Sequence, residues 1–100
     1  MYEITRSTKF KKAFKKVKQY PKFKQAVFND VVTKLQNREP LPKIFDDHKV
    51  AKTSFPEIQG MRILHLSPNI CLIYDVDDSA KLITLYNIGS HQDTGLTETL

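Results

Sequence analysis

The chain holds three histidines, His48, His65 and His91, and one cysteine, Cys71. Imidazole titrates nearest neutrality of all side chains, so histidines gathered on one surface can both take and give protons. His48 follows Asp46 and Asp47 in "LPKIFDDHKV", where a carboxylate can orient the ring or raise its pKa. Cleavage of RNA by its own 2′-hydroxyl calls for these groups. It needs a base for the hydroxyl proton, an acid for the departing 5′-oxygen and a cation for the phosphorane charge. Arg62, Lys49 and Lys52 are candidate cations. Metal ligation is the competing chemistry, but no histidine pair has HxxxH or HExxH spacing. Cys71, in the apolar run "NICLIYDV", is expected to be buried as a small core residue, so no metal and no cysteine chemistry is expected. With only three glycines there is no phosphate-cradling loop, and no nucleophilic triad is legible.

The elements that must position these residues follow from periodicity. "YEITR" alternates and reads as an opening strand over 2–6, after which Ser7 or Thr8 can cap a helix. Phe10, Ala13, Phe14 and Val17 recur at helical spacing with lysines between them, predicting an amphipathic helix over 8–19. Pro21 suits the first turn of a second helix whose stripe is Phe23, Ala26, Val27, Val31 and Leu35, ending near Asn37. A loop-rich stretch follows, and then "MRILHL", "NICLIYDV" and "KLITLYNI" read as three strands with short connections, hence an antiparallel meander. Alternation sets Leu64 and Leu66 against His65, and Ile83 and Leu85 against Thr84 and Tyr86. One sheet face is expected to pack on the helical hairpin and the other to lie open, carrying the polar groups. Gly89 permits a tight turn that folds His91 back over that face. The fold class is α+β in one domain over 1–100.

Charge narrows the partners. Residues 1–24 carry nine basic side chains against Glu3, a net +8, so the remainder of this +5 chain is −3. A basic N-terminal helix favours an anionic partner, a phosphate backbone or an acidic protein. No apolar run approaches the roughly 20 residues of a membrane span, the first residues lack a signal-peptide pattern, and the cysteine is unpaired in sequence, so a cytoplasmic location is expected.

"EPLPKIFDDHKV", "GMRILHLSPNICLIYDV" and "LYNIGSHQDTGL", in that order, resemble the YafQ-like branch of the RelE/ParE toxin superfamily, the ribosome-dependent mRNA interferases of bacterial type II toxin-antitoxin systems. The resemblance covers essentially the whole chain. It implies a helical hairpin on a mostly antiparallel sheet, with the catalytic histidines falling on His48, His65 and His91 and no cofactor. The family's acidic residue after the proline is Asn69 here, an amide that can position a phosphate or 2′-hydroxyl but leaves the base role to a histidine. Asn87 and Gly95 stand where the family tends to carry an arginine and an aromatic, with Arg62, Tyr86 or Leu96 as partial substitutes for clamping and stacking. Lys11, Lys12, Lys15 and Lys16 are the implied contacts to ribosomal RNA at the decoding site. The implied partner is an acidic antitoxin of the DinJ/RelB kind, with the toxin monomeric alone and in a heterotetramer or larger assembly when bound. The alternative reading is a module of the same fold with little or no catalysis, serving antitoxin binding, operon co-repression or a protein target.

Overall fold

The computed structural model describes residues 1–51, 53 and 55–94. Five strands form one sheet: β1 (Glu3–Arg6), β2 (His48–Lys49), β3 (Arg62–Ser67), β4 (Ile70–Asp77) and β5 (Leu82–Gly89), in the order β1-β5-β4-β3-β2. The meander β3-β4-β5 is antiparallel as expected, and β1 lies parallel to β5 at its edge. The β4-β5 turn is held by Asp77, whose Oδ1 accepts from the Ser79 hydroxyl at 2.7 Å and from the Ser79 and Ala80 N–H groups. That is the work an aspartate does in a tight turn.

Helix α1 (Thr8–Val17) starts at Ser7, whose Oγ accepts from Phe10 N–H at 3.0 Å and donates to the Tyr86 carbonyl at 2.6 Å. One hydroxyl therefore caps the helix and ties it to β5. Helix α2 (Gln25–Gln36) begins four residues later than Pro21 predicted. Residues 18–23 instead make consecutive turns, with Tyr20 N–H bonded to the Val17 carbonyl and Phe23 N–H to the Tyr20 carbonyl, and Lys24 is extended before the helix. The stripe shifts accordingly: Phe28, Val31 and Leu35 are buried, and Ala26 is exposed. Phe14 is the hub between the helices, its ring 4.9 Å from Phe28 and 5.6 Å, edge-on, from Phe23. These aromatics are core, joined to Leu64, Leu72, Tyr74, Ile83, Leu85 and Ile88 from one face of the sheet.

The other face is not open along its length. Val50, Ile58, Ile63, Cys71 and Ile73 form a second buried cluster with Phe55, Met61 and Tyr86 against it. The loop-rich stretch supplies this cover, because a 3-10 turn at Pro56–Ile58 seats Ile58 on the sheet at 1% exposure. Among the described residues, the end of this face near the β3-β4 turn is what is left for polar groups.

The loop before β2 is fastened to the sheet by one carboxylate. Asp47 Oδ1 accepts the Tyr74 hydroxyl at 2.6 Å and the Arg62 Nε–H at 3.3 Å. Burial, and then the bond to Asp47, pushes the Tyr74 phenol above its ordinary range, so it stays a donor. Tyr74→Phe should destabilise the fold by about 1.5–3 kcal/mol in urea unfolding, the range for a hydrogen bond to a charged group. An unchanged midpoint would show that Arg62 alone holds the loop.

Candidate active site

His65 is on β3, Cys71 on β4, His91 opens the short helix α3 (His91–Thr94) and His48 starts β2. What joins them is register. Ser67 pairs with Ile70 at the β3-β4 turn, and a regular hairpin would then set Leu66 opposite Cys71, placing the thiol on the helix-bearing face. The ladder instead shifts, with Leu66 as the extra residue, and His65 pairs with Cys71. A second shift, at Tyr86, sets Gly89 opposite Cys71 on the other side. Gly89 has φ +155°, and a Cβ there would come 3.2 Å from Asp93 Cβ, so glycine lets α3 fold back as expected.

The three histidines stand in a row. His65 Nε2 lies 3.1 Å from His91 Nε2, and the His48 ring is nearly parallel to that of His65 with centroids 6.4 Å apart. Cys71, fully buried, places its sulfur 3.7 Å from both nitrogens of His91. His48 Nδ1–H donates to the Asp46 carbonyl at 2.7 Å. Asp46 takes the left-handed conformation, φ 48°, that an aspartate tolerates, and its carboxylate lies 3.7 Å from His48 Nδ1 and 3.8 Å from His65 Nδ1. Burial, and next the neighbouring His91 ring, press the His65 pKa below the ordinary imidazole value, with Asp46 opposing them.

The other expected site residues divide. Arg62 and Lys49 pair with each other on alternate positions to Ile63 and His48, so they face away from the histidine row and line a separate cleft with Tyr74 and Asp75. Asn69 is exposed in the β3-β4 turn. Tyr86 is half-buried in the second core cluster with the Lys9 ammonium 5.7 Å from its ring centroid. Asn87 is 5% exposed, and its Oδ1 accepts from Ile88 N–H. Lys12 and Lys16 line a groove with Asn87 and Asp93 beside α3, whereas Lys11 belongs to a different groove with Arg6 and Gln36, so the four lysines do not form one contact. Lys52, Gly95 and Leu96 lie outside the described residues.

Two features escaped the sequence. Lys22 and Lys24 from the α1-α2 turn share a groove of about 590 Å³ with Asp46, His65 and Ser67, walled by Val27, Ile44, Phe45, Leu66 and Pro68. The other is Cys71, brought to the histidines only by the irregular register.

The family model described as "Bacterial toxin of type II toxin-antitoxin system, YafQ" matches residues 2–95. The chain belongs to the YafQ family. Solved YafQ structures are similar throughout. YafQ from E. coli strain BL21(DE3) is 26% identical, with a TM-score of 0.76 over 94% of this chain and 98% of that one. The E. coli DinJ-YafQ complex gives 28% and 0.74, covering 93% and 97%. A metal-bound toxin from Helicobacter pylori gives 27% and 0.77, covering 93% and 98%. No curated protein matches the chain. The YafQ-like α+β architecture, with helices on a five-stranded mixed sheet, is as the sequence implied, and among the described residues no helix is long and apolar enough to cross a membrane.

The electrostatics of the row are open to direct measurement. In an NMR titration His65 should titrate below a free imidazole. Asp46→Asn should lower its midpoint further and His91→Ala should raise it, because the carboxylate opposes and the second ring adds to the depression. The opposite order would mean that another group sets the field at His65.

Proposed function

We propose that this YafQ-family toxin is a ribosome-dependent endoribonuclease, an mRNA interferase that cuts message in the decoding site by acid-base chemistry without a cofactor. The observation that supports the reading best is the row of three imidazoles, His48, His65 and His91, at one end of one sheet face. Internal attack by the 2′-hydroxyl is in line, so the proton acceptor and the proton donor must stand on opposite sides of the phosphorus. His65 and His91, in contact at 3.1 Å, serve one side together, and His48 serves the other. His65, held below the ordinary imidazole range, keeps a lone pair for the 2′-hydroxyl proton, and the couple is the base. His48 is held through Nδ1 by the Asp46 carbonyl, leaving Nε2 to protonate the 5′-oxygen, and the Asp46 carboxylate is there to pair with the charged ring. The products are a 2′,3′-cyclic phosphate, or the 3′-phosphate from its opening, and a 5′-hydroxyl.

With Arg62 latched to Asp47 on the far face, the cations offered to the phosphate among the described residues are Lys22 and Lys24, in the groove that His65 borders. Asn69, in the adjoining turn, is placed to bind substrate and not to carry protons. Lys12 and Lys16 flank α3 and extend a basic track for ribosomal RNA, and the ribosome supplies the orientation that so few catalytic groups need. The partner in the resting cell is an acidic antitoxin, a reading supported by the E. coli relative solved as the DinJ-YafQ complex.

His48→Ala and His91→Ala should each lower single-turnover cleavage on programmed ribosomes at least about a hundredfold, the scale of a lost general acid or base, with unchanged circular dichroism. Full activity in the double variant would remove the chemistry. Lys22→Ala with Lys24→Ala should cost at least about tenfold in the same assay. Reversing Lys12 and Lys16 to glutamate should lower the salt slope of ribosome binding by about 0.7–0.9 per lost phosphate contact, and an unchanged slope would make these lysines ordinary solvated charges.

A further inference from the structure

The geometry points to a transition-metal site at His65, Cys71 and His91, one that takes zinc or a similar thiophilic divalent cation and silences the nuclease while it is bound. The second part of that statement rests on the acid-base reading above; the first does not. One ligand atom from each of the three side chains lies within 4.8 Å of the others. Metal-nitrogen and metal-sulfur bonds of about 2.0–2.1 and 2.3 Å at tetrahedral angles require nitrogen-nitrogen and nitrogen-sulfur edges of roughly 3.4 and 3.6 Å. The observed edges are 3.1 Å between His65 Nε2 and His91 Nε2 and 3.7 Å between Cys71 Sγ and His91 Nε2. Two of the three edges thus stand within a few tenths of an ångström of the coordination polyhedron, and the third, between His65 and Cys71, is bounded at 4.8 Å, so that bond formation draws those two side chains together.

The surroundings fit the same role. The ligands come from β3, β4 and the start of α3, so the sheet fixes two of them and the glycine turn fixes the third. With Nε2 on the metal, the His65 proton resides on Nδ1, which is buried without a hydrogen-bond partner and lies 3.8 Å from Asp46 Oδ2. A small approach completes the carboxylate-histidine-metal arrangement that orients many ligating imidazoles. Cys71 is the one cysteine of the sequence and is fully buried. Its thiol proton passes to the buffer as the sulfur-metal bond forms, and the cation offsets the thiolate charge. Three protein ligands leave the fourth position to water.

The regulatory consequence follows from which lone pairs are used. The metal occupies Nε2 of both His65 and His91, the atoms that exchange the substrate proton, so bound metal and base cannot coexist there. Cys71 has no part in that proton transfer, which gives metal control and cleavage separate residues.

Two readouts need no RNA. Cobalt(II) added to the chelator-stripped protein should bind one per chain and give a thiolate-to-cobalt charge-transfer band in the near ultraviolet with tetrahedral visible bands. Zinc should bleach both. Zinc titration calorimetry should show binding weakened at least about a hundredfold by Cys71→Ala and by His91→Ala, beyond the 10–100-fold that loss of an outer partner costs, and by less than about threefold in His48→Ala. Absence of the charge-transfer band in the wild-type protein overturns the site whatever the variants do, as does zinc affinity indifferent to Cys71. On programmed ribosomes with magnesium held constant, equimolar zinc should suppress cleavage at least about tenfold, reversibly with chelator, in wild type and not in Cys71→Ala. Cobalt bound through sulfur with cleavage undiminished by zinc would overturn the regulatory half. Cobalt bound through sulfur in a protein that never cuts RNA would uphold the site and reject the nuclease reading instead.

Discussion

Side-chain parity in a β-sheet is unforgiving: one residue of slip moves every following side chain to the opposite face. The site described above exists because the sheet slips twice, once at Leu66 and once at Tyr86. The first slip turns Cys71 from the helix-bearing face to the side of His65. The second brings Gly89 beside Cys71, so that the chain can turn and lay His91 on the same spot. Between the slips the ladder is regular, which lets Leu64, Leu72 and Ile88 stay in the main core while Ile63, Cys71 and Ile73 build the second. A β-bulge is therefore the device that converts a two-sided hydrophobic sheet into a platform with a polar end.

The remaining histidine depends on a different constraint. His48 belongs to a two-residue strand that could not hold its place by backbone pairing alone, and the Tyr74-Asp47-Arg62 cluster supplies the attachment. Consecutive aspartates divide the labour: Asp47 anchors the loop on the far face, and Asp46, in its left-handed conformation, addresses His48 and His65. Arg62 is consequently committed to structure. The basic character of the site comes from the α1-α2 turn and the flank of α1, which is why a lysine-rich helix that reads as one patch in sequence acts as two separate surfaces.

The layered architecture was legible because it rests on periodicity: the helical spacing of Phe10, Phe14 and Val17 and the alternation around His65 and Leu85 survive in the fold. The convergence of His65 and His91 was legible too, from Gly89 and strand parity. What escaped has physical causes. Pro21 is compatible with turns as well as with a helix start, and local hydrogen bonds through residue 23 chose turns. The cover over the second face comes from a stretch without period, where Ile58 and Val50 act as single apolar anchors. The apolar run around Cys71 predicts its burial and misses its neighbours, because a one-residue bulge leaves no mark on hydrophobic pattern.

The central claim is that a row of imidazoles cleaves message through the RNA's own 2′-hydroxyl, and product chemistry tests it most directly. Ribosomes programmed with end-labelled mRNA and treated with the purified toxin should yield 5′-hydroxyl ends aligned with codons, paired with 2′,3′-cyclic phosphate or 3′-phosphate ends. These products follow from internal attack with two proton transfers. Fragments bearing 5′-phosphate and 3′-hydroxyl ends would contradict the account, since they require an attacking water that the row of His48, His65 and His91 is not arranged to activate.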